Sequence, residues 1–224
     1  MRCQESQTLV LYNHKYLTMM DHPDRQERDQ FDIDYGVNTA TPLGRMNYKR
    51  IQNLTQGHAY QASWTQEIRT NFDYVYRHLN ERFKTFTFID IGSGKGKVNL
   101  VWQQELDRVG IEQTNIGIEY YEPLNVIARN NWTRLFPNRP HRFIQADAAT
   151  QDVRRYGEKL ILYMYNPFEA MIMLQFLRNL KNWPTVLVYN VPTCDRLVRT
   201  NGFKVIHERS GPNQNLNNII YTNF

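Results

Sequence analysis

The segment FIDIGSGKGKV, residues 88–98, combines an apolar run, an acidic residue and three closely spaced glycines. Asp90 lies near the end of the apolar run, and Gly92, Gly94 and Gly96 follow at alternate positions. Glycine tolerates positive φ angles and allows a ligand to approach the backbone closely. The pattern is typical of a turn that leads from a buried strand into a helix and binds a ligand there.

The spacing distinguishes three ligands of such turns: a nucleoside triphosphate, a dinucleotide and S-adenosylmethionine. A P-loop requires GxxxxGK[ST], but Gly92 and Gly96 are one residue too close, and Val98 replaces the hydroxyl that would hold magnesium. The dinucleotide fingerprint GxGxxG requires glycine where this chain has Lys97. The remaining pattern, an acid followed by GxGxG, favours an adenosyl ligand without phosphates.

Other polar residues follow the next apolar runs. Glu119 ends NIGIE, Asp147 ends RFIQAD and Asn166 ends KLILYMYN. Ligands of parallel sheets bind beyond the carboxyl ends of the strands, so we expect these side chains and Asp90 at one edge. A carboxylate at the position of Glu119 can form paired hydrogen bonds to a ribose diol, although acids at strand ends are commonly just solvated.

Strands and helices alternate after residue 86, and the strands are almost continuously apolar, which predicts a parallel sheet covered on both faces. Helices are predicted over residues 63–83, 98–109, 123–135, 170–180 and 194–201, with Ser63 as the N-cap of the first. Residues 31–50 contain Gly36, Asn38, Pro42 and Gly44 and are predicted to form a loop. The last two predicted strands are FKVIHER and NNIIYTNF.

The composition suits one medium-sized domain, with 224 residues, 41% apolar and 22% charged. A net charge of +5 permits contact with nucleic acid, but the basic residues are scattered. The two cysteines have no spacing typical of a zinc site, and we expect no metal. We expect a cytoplasmic protein without membrane contact, because no long apolar run or signal peptide is present.

FIDIGSGKGKV and GIEYYEP resemble motif I and the following acidic segment of class I S-adenosylmethionine-dependent methyltransferases. HAYQASWTQEI, before motif I, resembles the Tyr-x-x-Thr/Ser segment of non-SET histone-lysine methyltransferases, and DYGVNT with YNPF resembles uncharacterised bacterial members of this group. The resemblance implies an α/β, Rossmann-like fold with a seven-stranded, mostly parallel sheet, a C-terminal antiparallel hairpin and helices on both faces. Residues 1–59 would form an accessory or lid segment, and residues 60–224 the cofactor-binding domain.

The resemblance also implies which residues bind S-adenosylmethionine. Asp90 would orient the amino group, Glu119 would hold the ribose, and Asp147 would face the adenine. Tyr120 could stack near the adenine, although a core or surface tyrosine is equally expected. The full implied cofactor-binding set is Tyr60, Ser63, Asp90, Gly92, Ser93, Gly94, Gly96, Glu119, Tyr120, Asp147 and Ala148.

The segment Asn166–Pro167–Phe168 resembles the Asp/Asn-Pro-Pro-Tyr/Phe motif of amino-directed methyltransferases, with one proline fewer. A nitrogen nucleophile must aim its lone pair at the methyl group, and the side-chain oxygen of Asn166 can accept its N–H group. Phe168 could pack over the substrate, or it could be a buried ring in an ordinary strand-ending turn. These three residues are the predicted catalytic set.

DYGVNT is predicted to be a lid in which Tyr35, Asn38 and Thr39 contact cofactor or substrate; an ordinary turn is the alternative. The predicted function is methyl transfer to nitrogen on a protein or small-molecule acceptor. Two alternatives stay open: an RNA or DNA methyltransferase, and a non-catalytic S-adenosylmethionine-binding scaffold.

Overall fold

The computed structural model describes residues 24–40, 60–212 and 216–224, with side chains from Gln30 onward. Its strands are β1 Thr87–Ile91, β2 Asn115–Glu119, β3 Phe143–Gln145, β4 Leu160–Tyr165, β5 Thr185–Asn190, β6 Lys204–Arg209 and β7 Asn218–Thr222. They form one seven-stranded sheet in the order β3-β2-β1-β4-β5-β7-β6. The first five are parallel, and β7 runs antiparallel to both β5 and β6. The predicted sheet and its antiparallel C-terminal pair are confirmed.

The helices surround this sheet. They are α1 Asp24–Tyr35, α2 Thr65–Leu79, α3 Lys97–Val109, α4 Glu122–Leu135, α5 Ala170–Asn179 and α6 Asp195–Thr200, with 3-10 turns at Asn80–Thr85 and Val153–Tyr156. In the described parts of the chain, no helix is long and apolar enough to cross a membrane.

Three predictions near the helix ends were wrong. Residues 31–35 are the last turn of α1, not a loop, because Gly36 adopts a φ of +64° and marks the end of a helix. The N-cap position of α2 is Trp64, one residue after Ser63, and its side chain makes no capping bond. The predicted helix over 63–83 is also divided, since Asn80 has a φ of +49° and ends α2.

Neighbouring residues of a strand point to opposite sides of the sheet, and nearly all residues of the central strands β1, β4 and β5 are buried. Both faces of the sheet are therefore covered at its centre. On one face, Trp102 of α3 stacks on Phe88 of β1 at 4.0 Å between ring centroids and meets Phe72 of α2 edge-on at 4.9 Å. On the other face, Ile89 of β1 lies in a core that includes Phe176 of α5. The strands therefore read as continuous apolar runs and hold their carboxyl ends at one rigid edge.

Candidate active site

The glycine turn after β1 folds over the end of β2. The backbone N–H groups of Gly92 and Ser93 both donate to the carbonyl oxygen of Ile118, at 2.8 and 3.0 Å. The N–H of Gly94 donates to Oε2 of Glu119 at 2.9 Å. The predicted glycine motif and the predicted ribose carboxylate are thus brought into direct contact.

Glu119 is held by backbone donors. Its Oε1 accepts from the N–H of Tyr121 at 2.9 Å, while Oε2 accepts from Gly94. Burial raises the pKa of the Glu119 carboxyl, and these N–H donors oppose that rise. The N–H of Tyr120 is a further backbone donor to this carboxylate, and because a carboxylate offers about four lone-pair sites, Glu119 can still accept from a ribose hydroxyl.

Asp90 has very different surroundings from Glu119. It is 3% exposed, and its Oδ2 atom is buried without a hydrogen-bond partner among the residues that the structure describes. Burial, and secondarily the charge of Glu119, raises the pKa of the Asp90 carboxyl well above its ordinary value. Within the described ranges, the hydroxyl of Ser93 is also buried without a partner. Because Asp90 and Ser93 both lie at the glycine turn, a polar ligand bound there could complete the bonding of both.

A cavity of about 430 Å³ lies beyond the ends of β2 and β3. Its lining comprises Tyr120, Tyr121, Glu122, Pro123, Gln145, Ala146 and Asp147. Oδ1 of Asp147 accepts from the N–H of Ala149 at 2.9 Å, which fixes the carboxylate at the cavity wall. Ala148 differs from the other predicted adenine neighbours, because its side chain is buried in the core shared with α5. The volume falls within the range of small-ligand pockets.

The predicted lid residues do not all lie together. Asn38 accepts a 2.8 Å hydrogen bond from Nζ of Lys95 in the glycine turn, and the carbonyl of Thr39 accepts from the Tyr60 hydroxyl at 2.5 Å. Tyr35 instead packs on Phe31 within α1 at 4.9 Å and is 36% exposed. Asn38, Thr39 and Tyr60 therefore lie at the glycine turn, whereas Tyr35 does not join them.

Gly94 must be glycine in this arrangement. Its φ is +53°, and a Cβ atom there would lie 2.2 Å from Cε2 of Tyr60. Gly92 has a φ of +77°, and its Cβ would lie 3.1 Å from Cβ of Pro167. The two glycines let the turn approach Tyr60 on one side and the predicted catalytic segment on the other. Ser63, also predicted to close the site, is buried just before α2.

The side chain of Asn166 is already engaged. Its Oδ1 accepts from the Thr193 hydroxyl at 2.7 Å and from the Tyr189 hydroxyl at 3.2 Å. An amide oxygen has two lone pairs, so this oxygen is saturated, and accepting from a substrate would require one hydroxyl to turn away. The acceptor role predicted for this oxygen therefore stays a prediction that requires one of the two hydroxyls to be displaced.

The side chain of Phe168 is engaged in core packing. Its ring is 8% exposed and packs on Phe176 of α5, with 5.6 Å between ring centroids. The structure favours the alternative of a buried ring in the turn after β4 over a ring that covers a substrate. Pro167 remains beside the glycine turn, where it joins the two parts of the site.

Backbone strain occurs at the ends of β4 and β5. Asn166 has a φ of +42° and Val191 a φ of +51°. Positive φ is an outlier for a β-branched residue and tends to cluster at functional sites. Both positions flank the hydroxyl cluster of Tyr189 and Thr193, so that the strain coincides with the predicted catalytic corner.

Sequence reasoning missed several residues of this region. Lys95 belongs to the glycine motif but had no predicted role, and Tyr121 is adjacent to the predicted Tyr120. Asp32 and Asn131 lie far from motif I in the sequence, and Asn131 bonds to a residue 93 positions away. No spacing rule could reveal such contacts. Within the described ranges, no group of three His, Cys, Asp or Glu residues is placed to hold a metal ion.

Comparison with solved structures places the fold. Magnesium protoporphyrin IX methyltransferase from Synechocystis PCC 6803, solved with S-adenosylmethionine, matches at a TM-score of 0.52 and 11% identity, covering 90% of this chain and 96% of that one. A predicted N6-adenine-specific DNA methylase from Listeria monocytogenes matches at a TM-score of 0.50 and 13% identity, covering 70% of this chain. This chain spans only 50% of the Listeria protein.

No family model and no curated protein matches the sequence. The structural likenesses define the class of fold: the chain has the Rossmann-like fold of class I methyltransferases.

Proposed function

We propose that this protein is an S-adenosylmethionine-dependent methyltransferase that methylates a nitrogen atom of a protein or small-molecule acceptor. The observation that carries the proposal is the contact between Glu119 and the N–H of Gly94, which joins a strand-end carboxylate to a glycine turn. This pair borders the β1 and β2 ends of a sheet with the class I methyltransferase fold. A ribose diol next to a backbone cradle is the ligand that this chemistry suits.

The described residues fit the proposed cofactor. The Asp90 carboxylate oxygen without a partner would accept from the amino group, and Glu119 retains lone pairs for the ribose hydroxyls. Asp147 and Tyr120 would bind the adenine in the cavity beyond β2 and β3. The glycine turn approaches Tyr60 so closely that a side chain at Gly94 would collide with the ring, so only glycine fits this position.

When bound, S-adenosylmethionine supplies an electrophilic methyl group on a positively charged sulfur, which becomes a neutral thioether after transfer. The task of the protein is then to align the acceptor nitrogen and exclude water. The Asn166 amide would position the acceptor after exchanging one of its two hydroxyl partners, Tyr189 or Thr193. Burial raises the pKa of Tyr189 to about 12, so that this phenol stays a neutral hydrogen-bonding group.

A nucleic-acid methyltransferase is the second candidate. Two observations favour it: the net charge of +5 and the Asn166–Pro167–Phe168 segment, which resembles a motif of amino-directed enzymes.

The third candidate, a non-catalytic scaffold, would bind the cofactor without turnover. The strained backbone at Asn166 argues for retained catalysis, because strain is costly to maintain without a function.

The test is a transfer assay with methyl-labelled S-adenosylmethionine. The purified chain is incubated with separate pools of protein, small metabolites, RNA and DNA from cell extract. Our proposal expects label in the protein or small-metabolite pool and about a hundredfold less with Asn166→Ala. Label only in nuclease-sensitive material would establish the nucleic-acid candidate, and cofactor binding without transfer to any pool would establish the scaffold.

A further inference from the structure

One side chain, Asn131 of α4, binds both the N-terminal segment and the glycine turn. Its amide Nδ2 donates to the carbonyl oxygens of Asn38 and Lys95, each at 3.0 Å. Its Oδ1 accepts from the N–H of Asn38 at 2.9 Å. Asn131 is 5% exposed, so these three bonds are shielded from competing water. A single carboxamide therefore fixes the distance between two segments that the sequence separates widely.

Lys95 makes a second link between the same segments. Its Nζ donates to Oδ1 of Asn38 at 2.8 Å and lies 5.6 Å from the centre of the Tyr60 ring. Lys95 is buried, and burial lowers its pKa, while the nearby charge of Asp32 opposes that change. The lysine of the glycine turn thus points into the N-terminal segment.

The N-terminal segment is itself tightly organised where it meets the turn. The Asp32 carboxylate accepts from the N–H and hydroxyl of Thr39 and from the N–H of Ala40, at 2.6–2.9 Å. The carbonyl of Thr39 then accepts from the hydroxyl of Tyr60, whose ring lies against Gly94. We call residues 31–40 the docking segment.

We propose that Asn131 and Lys95 are positioning residues that couple the docking segment to the glycine turn, so that the segment sets the affinity of the cofactor site. This inference rests on the proposed function. The carbonyl that Asn131 holds belongs to Lys95, which is adjacent to Gly94, the residue whose N–H binds Glu119. Release of the docking segment would allow the glycine turn to move, and with it the Gly94 N–H group that donates to Glu119. Since coupling is reciprocal, a bound cofactor must also strengthen segment docking by the same factor.

The experiment combines titration with S-adenosylhomocysteine and hydrogen–deuterium exchange on the full chain. Asn131→Asp keeps the size and the acceptor but replaces the donor of two bonds with an anion that repels two carbonyls. Asn130→Asp is the matched control, since it places the same charge at the neighbouring exposed position of α4. We expect Asn131→Asp to weaken S-adenosylhomocysteine binding at least tenfold and to speed exchange in residues 31–40 and 92–96, with no effect from Asn130→Asp.

A second variant keeps the test valid if Asn131→Asp folds poorly. Asn38→Leu removes the Asn38 acceptor of the buried Lys95 ammonium and leaves the backbone bonds to Asn131, so we expect a smaller loss of affinity together with a lower unfolding temperature. If Asn38 had only a structural role, the unfolding temperature would fall while the affinity of the folded protein stayed intact. In the wild type, S-adenosylhomocysteine should slow exchange of residues 31–40.

Two negative results have different meanings. If the wild type binds S-adenosylhomocysteine and the variants release the segment without loss of affinity, the coupling is wrong while the proposed function stands. If a folded wild type binds neither S-adenosylhomocysteine nor S-adenosylmethionine, the proposed function fails and the coupling with it.

Discussion

Asp90 and Glu119 lie at neighbouring strand ends, but their surroundings give them different tasks. Glu119 already accepts two backbone N–H bonds, which favour its ionised form. Asp90 has a buried oxygen without a partner in the described part of the chain and faces the charge of Glu119, so its ionised form is disfavoured. A ligand with a positively charged amino group would reverse this, because it supplies the missing donor and the opposite charge. In the absence of such a ligand, an ionised Asp90 therefore lowers the stability of the folded protein.

The first prediction concerns that cost. The pKa of Asp90 is raised in the folded chain, so the folded state holds the Asp90 proton more tightly than the unfolded state does. Asp90 therefore lowers the free energy of unfolding as pH rises above about 4, and this decrease stops once the pH passes the pKa of the folded state. Asn cannot ionise, so Asp90→Asn should make the protein more stable than the wild type at pH 7 and lose that advantage near pH 4. Urea unfolding at several pH values measures the difference.

The control for this titration is Glu158→Gln, which removes an exposed carboxylate. Its effect on the free energy of unfolding should stay within about 0.5 kcal/mol throughout the pH range, as for most surface substitutions. An Asp90→Asn protein that is less stable than the wild type at pH 7 would show that a bond missing from this structure holds Asp90.

The second prediction separates backbone strain from contact at a glycine. Gly94→Ala and Gly110→Ala both place alanine at positive φ, +53° and +68°. At Gly110 a Cβ meets nothing within 4 Å, so that only the strain of about 1–2 kcal/mol applies. At Gly94 the Cβ collides with Tyr60, and we expect a larger loss of stability together with weaker cofactor binding. Equal effects of the two variants in thermal unfolding and titration would refute the close approach of Tyr60.

Among the elements, the turn from β4 into α5 combines strained backbone with buried packing. Asn166 presents its amide to two hydroxyls, while Phe168, two residues later, anchors the turn in the core. Pro167 lies between them against the glycine turn. The position of the predicted catalytic corner thus depends on core packing. Mutation can separate the hydrogen bonding of Asn166 from the packing of Phe168.

The third prediction uses that separation. Phe168→Ala should cost about 3–5 kcal/mol of stability, because it removes a buried ring and leaves a cavity. Where the variant remains folded, its affinity for S-adenosylhomocysteine should match the wild type. Met171→Ala in α5, the helix that follows Phe168, is the control, since Met171 is 76% exposed and should change neither quantity. A stable Phe168→Ala protein would indicate that the ring is not needed in the core and would restore its predicted role over a substrate.

The sheet was predictable from the sequence because strands that are buried on both faces are continuous apolar runs. The segments KLILYMYN and TVLVYNV are typical of such strands. Helix ends were less predictable: α1 extends into a segment where Gly36 resembled a loop residue, although it ends a helix. The positions of the glycine turn and of Glu119 were predictable because one follows β1 and the other ends β2.

The catalytic corner and the docking segment show why the rest of the site was not predictable. The burial of Phe168 depends on α5, and the engagement of Asn166 depends on Thr193, 27 residues away. Asn131 belongs to an ordinary amphipathic helix, and nothing in its neighbours indicates a contact with Asn38. Such contacts depend on how helices and strands pack in the folded chain, so they cannot be predicted from the local sequence pattern.

At the scale of the whole molecule, the net charge of +5 leaves the acceptor class open. The fourth prediction tests it with a labelled RNA and a labelled DNA duplex at 50 and 200 mM salt. An enzyme with 6–10 phosphate contacts would lose roughly 10³–10⁵ in affinity over this range. Our proposal expects only weak binding at the lower salt and none that saturates at the higher. Saturable binding at 200 mM salt would favour the nucleic-acid candidate.

The most direct test of the whole account is calorimetric titration of the folded chain with S-adenosylmethionine and S-adenosylhomocysteine, in parallel with three variants. We predict micromolar binding of one molecule per chain, weakened by about 1.5–3 kcal/mol, or roughly 10–100-fold, in Glu119→Gln and in Asp90→Ala. Glu112→Gln, an exposed position just before β2, should bind like the wild type. A folded wild type that binds neither compound would contradict the account, as would tight binding that is unchanged in both site variants.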